Sequence, residues 1–308
     1  MLFKTSEYVE CLMVVEEAVR RQFEVSEQEL ENEAHGDADP LREKEHEVVP
    51  GLINKYGNRV LALLTTECAA YCRFCTRRRL VSDTQRGTVD RSHVDAWMNY
   101  LRKHGEVREV ILSGGDPFIV EDDLFEYVLS EISGLDSIKV IRIGTRAPVS
   151  DPCLVNDRKL EIISRIEQPI YVGIHFEHPA EMTRATVRCI KNLRSAGAIL
   201  YSQTVFLKGV NDDYQTLFDL FTGLIEIGVR PYYLYQCDPV PGAEHFRVDP
   251  EKERHIMTQL RRSLSGLACP NYVIDAPNGS GKIPVPLEFW NCDTTKYTDF
   301  EGSIHRNK

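Results

Sequence analysis

From residue 60 onward the chain alternates short apolar runs of strand length with longer segments of helical apolar spacing, and no other feature narrows the possible folds as far. Residues 60–65, 107–112, 138–143, 170–174, 199–206, 230–235 and 272–274 read as strands. Between them, 91–104, 123–132, 157–166, 179–196, 212–227 and 251–265 carry helices, with Asn156 as an N-cap ahead of one. Strands separated by helices pair in parallel, and six such units are visible. Polar residues and glycines recur just after the strands: Ser113-Gly114-Gly115-Asp116, Gly144-Thr145-Arg146, His175, Gln236-Cys237-Asp238 and Asp275. In a barrel of parallel strands that end is where ligands bind. The pattern predicts an α/β fold, a partial (β/α)6 TIM-like barrel. An open doubly wound sheet carries the same signal and stays an alternative here.

Residues 5–34 read as helical, with Val9, Leu12, Met13, Ala18 and Phe23 as an apolar stripe and Ser26 to Glu29 as a capping box. The acidic residues of this region read as a solvated face, and 35–40 as a linker. The expected division is an N-terminal helical extension over 1–50, a core over 51–265 and a C-terminal segment over 266–308. A net charge of −10 argues against a nucleic-acid partner, and Arg77-Arg78-Arg79 is too short for a basic arm. No apolar stretch approaches the ~18 residues of a membrane span. Nine cysteines, Cys292 among them, are an odd number in a long chain. That fits a reducing cytoplasm better than a disulfide framework.

Three of those cysteines, Cys68, Cys72 and Cys75, are spaced C-x3-C-x2-C directly after the first strand. Clustered thiolates suit zinc or an iron–sulfur cluster. Structural zinc wants four ligands, and His46 and His93 lie too far along the chain to supply a fourth. Three thiolates on a four-iron cluster would leave one iron open. The bland alternative is three buried thiols packing as small hydrophobes. The glycine pair in Ser113 to Asp116 lets backbone approach a ligand closely, or simply makes a tight turn. Arg142 to Arg146, His175 and Gln203 could face the same end of the strands.

Asn278-Gly279-Ser280-Gly281-Lys282 is not a P-loop, because the spacing fails and Ile283 follows the lysine. Its amine could reach a carbonyl or be a surface charge. Tyr56 and Arg59 could stack on a ring and bind a phosphate, or be a core aromatic and a rim charge. Asp238 and Asp275 are turn residues before prolines, or two anions able to reach one cation.

The cysteine loop resembles the cluster-binding motif of radical S-adenosylmethionine (SAM) enzymes. With Thr76-Arg77-Arg78-Arg79 it resembles the lysine 2,3-aminomutase family in particular. The resemblance runs from about residue 39 to 302. It is also carried by Tyr232 to Asp238, Glu244 to Arg247, and the lysine loop between Asp275-Ala276-Pro277 and Pro284. It implies a [4Fe–4S] cluster on Cys68, Cys72 and Cys75 whose open iron chelates SAM, the source of a 5'-deoxyadenosyl radical on reduction. It implies SAM contacts at Ser113, Gly114, Gly115, Asp116, His175 and Gln203. Lys282 would be the catalytic lysine bonded to pyridoxal 5'-phosphate (PLP), with Tyr56, Arg59 and Tyr235 around that cofactor. Arg77 would bind the substrate carboxylate, and Asp238 and Asp275 its distal ammonium, since lysine-acting members place two aspartates here and glutamate-acting members do not.

The resemblance therefore implies an isomerase that converts L-lysine to β-lysine, served by an electron donor such as flavodoxin or ferredoxin. Asn278 and Ser280 stand where relatives often have glycine. The cysteine-rich tail that binds zinc in longer members is missing. Zinc is therefore not expected, and a homo-oligomer built on that tail is left open. Alternatives are an aminomutase of another amino acid such as arginine, one supplying β-lysine for elongation factor modification, or a non-catalytic iron–sulfur sensor. The sensor would want a fourth protein ligand and would have no use for Lys282.

Overall fold

The structure, a computed structural model, describes residues 2–31, 36–81, 87–289, 295–298 and 302–307. His35 and Cys292 lie outside the described residues. The expected helical region is three helices: α1 Glu7–Val15, α2 Glu17–Phe23 and α3 Glu27–Glu31. Glu16 makes the first break, with an extended backbone and a side chain that accepts from Ala18 N to cap α2. Val9, Val19 and Phe23 are buried against Ala70 and Cys72, so these helices cover the cysteine loop. One correction concerns the acidic face. Glu29 is buried, bonded to Arg73 and Arg78, because those two cations are themselves buried and need an anion.

Two short antiparallel strands, β1 Glu47–Val49 and β2 Leu52–Ile53, lead into β3 Arg59–Thr65. Six further strands follow in parallel: β4 Glu109–Gly114, β5 Val140–Thr145, β6 Ile170–His175, β7 Ile199–Val205, β8 Arg230–Tyr235 and β9 Asn271–Asp275. β10 Lys282–Pro284 folds back antiparallel on β9. Helices α4 Arg91–Lys103, α5 Asp122–Ser133, α6 Ala147–Ser150, α7 Asp157–Ser164, α8 Arg184–Ser195, α9 Tyr214–Glu226 and α10 Pro250–Ser263 fill the crossovers. Five of them start on a side-chain cap, at Asp90, Asn156, Thr183, Asp213 and Asp249.

Spatial order equals chain order from β1 to β10. A doubly wound sheet reverses its order at a switch point. Here nothing reverses, so right-handed crossovers put the helices on one side of the sheet, and β1 and β10 are the open edges of a partial barrel. Strand alternation then sorts the residues. Val60, Ala62, Leu64, Leu112, Ile141, Ile143, Val172 and Ile174 meet Trp97, Phe125, Ile190 and Phe221 of the helices in the main core. The opposite face carries Glu109, Ser113, Arg142, His175, Tyr201, Gln203, Tyr233, Tyr235 and Asp275. That polar lining, on strands whose other face is apolar, is where a ligand would be held. Among the described residues no helix is long and apolar enough to cross a membrane.

Candidate active site

The loop after β3 places Cys68, Cys72 and Cys75 together at the C-terminal end of the sheet. A tight turn, with Cys75 N donating to Cys72 O (3.1 Å), draws the last two together. Burial pushes all three thiols up, Cys75 to about 11. Asp116, Cys75 and Cys72 push Cys68 further, and Cys72 pushes Cys75. Three half-buried thiols, two of them raised further by their cysteine neighbours, suit a cationic inorganic centre, which would relieve that repulsion. Among the described residues no three His, Cys, Asp or Glu side chains converge on a single ion. Three half-buried thiols gathered on one loop are what fits a larger cluster.

Gly114 and Gly115 are explained by the close approach of chain to chain. Gly114 has φ +124, and a Cβ there would collide with Thr65 O; one on Gly115 would collide with Glu67 O. Asp116 is buried, and its carboxylate accepts from Thr145 Oγ1 (2.8 Å) and Arg146 N (2.7 Å). These bonds tie the glycine turn to the end of β5. His175 and Gln203 are register partners on β6 and β7. The His175 ring also lies 3.4 Å from Glu177.

Arg146 reaches from the end of β5 to the cysteine loop, donating through Nη1 to Cys72 Sγ (2.7 Å). Arg77 is held differently. Its Nε donates to both Glu43 oxygens (2.9 and 3.2 Å), its Nη2 pairs with Glu43 (2.7 Å), and its Nη1 donates to Ser113 Oγ (3.1 Å). Glu43 is buried and was not anticipated from sequence, where 1–50 read as an extension and linker. Arg78 is buried on Glu29 and the Arg73 carbonyl. Arg79 pairs with Asp39 (2.8 Å).

The second cluster forms where β9 and β10 pair. Their register sets Lys282 opposite Asp275. Lys282 Nζ donates to Asp275 Oδ1 (2.7 Å) and lies 4.9 Å from the Tyr235 ring centre. Burial pushes Asp238 up to about 8, with Asp275 adding and Lys282 and Arg247 opposing. The two aspartates and the lysine therefore lie close enough to feel one another's charge, all three half-buried. In the loop before Lys282, Asn278 (φ 60) and Gly279 (φ +71) are left-handed. A Cβ on Gly279 would collide with Lys55 Nζ and Leu41 O.

Lys55, absent from the sequence reading, thus sits against the lysine loop, its amine on Leu41 O (3.1 Å). Burial pulls its amine below the usual lysine value, Asp275 opposing and Lys282 reinforcing. Basic residues at both ends of Lys55-Tyr56-Gly57-Asn58-Arg59 were the available signal. The Arg59 guanidinium stacks 4.1 Å from the Tyr56 ring centre. An aromatic face, several cations and a lysine amine on a glycine-bearing loop form a donor set that suits a planar, anionic aldehyde cofactor.

The comparisons agree with this geometry. The profile of the radical SAM superfamily matches residues 63–221. L-lysine 2,3-aminomutase of Acetoanaerobium sticklandii is 40% identical over 289 residues, 93% of this chain and 69% of that protein. The Bacillus subtilis protein of the same name is 40% identical over 269 residues, 86% of this chain and 57% of that one. Glutamate 2,3-aminomutase of Clostridioides difficile is 33% identical over 279 residues, 90% of this chain and 65% of that protein. The chain therefore spans between 57% and 69% of the lengths of these relatives. With a superfamily profile over half its residues and aminomutases aligned along nearly all of it, the chain belongs to the lysine 2,3-aminomutase family of radical SAM enzymes.

Proposed function

We propose that the protein is an L-lysine 2,3-aminomutase, moving the α-amino group of L-lysine to Cβ to give β-lysine. The observation that carries the choice of substrate is the pair of half-buried carboxylates at the lysine loop: Asp275 bonded to the Lys282 amine, and Asp238 close enough to feel the charge of both. Two carboxyl groups set close together favour a cationic side chain, whose charge would draw the proton off Asp238, and oppose the carboxylate of glutamate.

When bound, the [4Fe–4S] cluster with SAM supplies hydrogen abstraction at Cβ, and PLP supplies the electron sink for the migrating nitrogen. Cys68, Cys72 and Cys75 would hold the cluster, with Ser113, Gly114, Gly115, Asp116, His175 and Gln203 around SAM. Lys55, Tyr56, Arg59, Tyr235 and Lys282 would hold PLP. Arg77 orients the substrate. Glu43 occupies Nε and one edge of Nη2, so a substrate carboxylate would bind the remaining Nη1 and Nη2 donors next to Ser113 Oγ, which already accepts from Nη1. Asp275 binds the Lys282 ammonium in the absence of substrate. With PLP held at Lys282, the same carboxylate would be available, with Asp238, to accept the distal ammonium of lysine. The buried strand ends and the tyrosines of β8 exclude water around it.

The substrate is a small amino acid. We assign the reducing electron to a flavodoxin or ferredoxin and the working compartment to the cytoplasm, and retain 1–50, 51–265 and 266–308 as the extension, core and lysine-bearing segment. Homo-oligomerisation is compatible with this reading. The test is anaerobic incubation with dithionite, SAM, PLP and either L-lysine, L-arginine or L-glutamate, with products identified by mass spectrometry. β-Lysine is expected. Turnover of glutamate in preference to lysine would refute the assignment.

A further inference from the structure

Arg146 is buried and turns one end of its guanidinium to a sulfur: Nη1 lies 2.7 Å from Cys72 Sγ. Everything around it immobilises the guanidinium. Phe23 and Phe74 flank it, with centroids 4.6 and 5.5 Å away. Nη2 donates to Gln22 Oε1 and to Glu181 Oε1 (3.1 Å), and Gln22 Nε2 donates to the same Glu181 oxygen (2.8 Å). The Gln22 carbonyl accepts from Arg73 N (2.8 Å), so α2 is stitched to the cysteine loop at the same point. The remaining donor, Nε, is buried with no acceptor among the described residues. Cys75 is treated differently: it receives a backbone N–H from Arg77, and the Arg77 and Arg78 cations act on it from a distance.

A fixed cation donating to one ligating sulfur has a definite electrostatic consequence. Reduction of the cluster adds one negative charge to a dry pocket. A guanidinium bonded to a ligand sulfur stabilises the added charge and raises the potential. Glu181, on the far side of the guanidinium, opposes it.

We propose that Arg146 is a positioning residue that sets the reduction potential of the iron–sulfur cluster, by donating through Nη1 to the Cys72 sulfur from a guanidinium locked by Gln22, Phe23 and Glu181. This rests on the reading that Cys68, Cys72 and Cys75 hold the cluster. The same carboxylate–guanidinium pair makes a second prediction of opposite sign, since removing the Glu181 charge should ease reduction.

The experiment is a mediator titration of the reconstituted protein without SAM, read by the EPR signal of the reduced cluster, with iron and sulfide counted in each sample. At a fixed ambient potential, Arg146→Met should lower the reduced-to-oxidised ratio about tenfold, which for one electron is about 59 mV. Arg146→Lys, which keeps the charge, should recover part of that loss. Glu181→Gln should raise the ratio about threefold, and it carries the test if Arg146→Met fails to retain iron. An unchanged ratio in iron-loaded Arg146→Met, or an unchanged or lowered ratio in Glu181→Gln, overturns the assignment while leaving the cluster intact. A wild-type protein that takes up no iron overturns the cluster reading itself, and this assignment with it.

Discussion

Replacing Asp238 with asparagine should move stability and activity in opposite directions. Burial, then the neighbouring Asp275, pushes the Asp238 carboxyl from 3.8 to about 8. An acid raised on folding holds a proton that the unfolded chain has released. Its ionisation therefore costs nothing below about pH 4, costs more as pH rises through the window from 3.8 to about 8, and is fully felt above it. At about 1.36 kcal/mol per pKa unit, the ceiling at pH 7 is about 4 kcal/mol. Lys282 and Arg247 offset part of that penalty, so Asp238→Asn should stabilise the cofactor-free protein by about 2 kcal/mol at neutral pH. The gain should be larger at pH 8 than at pH 6.

Turnover should fall for the reason that stability rises. A lysine ammonium seated between Asp238 and Asp275 supplies the countercharge this carboxylate lacks in the free protein. With one anion gone, a buried cation is left half compensated, at a cost of about 3 kcal/mol. That is roughly a hundredfold loss in kcat/KM for lysine. Urea denaturation at pH 6 and pH 8 measures the first effect; anaerobic kinetics at saturating SAM and PLP measure the second. Near-normal lysine turnover by Asp238→Asn, or a loss of stability at both pH values, would refute the reasoning.

The same reasoning about burial and pairing yields the other predictions. Cys72→Ala should lose its iron and its SAM cleavage, whereas Cys153→Ala, at an exposed thiol remote in sequence from the loop, should keep both; iron analysis distinguishes them. Borohydride reduction of the PLP-loaded protein followed by peptide mapping should place the pyridoxyl label on Lys282, and a label on any other lysine would end that assignment. Glu43→Gln should raise the lysine KM about tenfold with little change in kcat, because Glu43 orients the Arg77 fork and the fork binds ground state and transition state alike. An equal fall in kcat would mean that Glu43 acts on the chemical step instead.

Much of the fold was legible because a parallel sheet writes its alternation directly into the sequence. Strand order was not, since an open and a barrel-like arrangement share that alternation; the monotonic pairing from β3 to β9 decides it. Paired ions were the hardest feature to read. Glu29 looked like one of many solvated acids, yet its partners Arg73 and Arg78 lie far along the chain, and only tertiary contact selects it. Glu43 was hidden in the same way behind Arg77. The break at Glu16 carried no glycine or proline to announce it. Gly114-Gly115 suggested approach to a ligand, whereas their missing side chains make room for the backbone at Thr65 and Glu67. Asp238 and Asp275 were easier to group, because each ends or follows a strand on the ligand side, whereas Tyr235 and Lys282 were joined to them by the family resemblance.

The segment from Asp37 to Lys55 explains how two cofactor regions built on opposite edges of the sheet keep a common geometry. Toward the cysteine loop, Asp39 and Glu43 hold Arg79 and Arg77. Toward the lysine loop, Arg42 Nη2 donates to Asn278 Oδ1 (3.0 Å) and the Leu41 carbonyl lies against Gly279 while accepting from Lys55. Residues adjacent in sequence thus face different cofactor regions, so a displacement of this segment would shift both. Asp39 stiffens the turn by accepting from the backbone of Glu43 and Lys44 (both 3.1 Å), and its carboxyl sits below the usual value despite burial, because those donors and Arg79 favour its charge. On the proposed site assignment, a radical formed at one region would have to find its hydrogen on a substrate held by the other, with little tolerance for misplacement. A segment braced on both sides by charge-assisted bonds provides that fixed separation, which the open edges of a partial barrel would not secure alone.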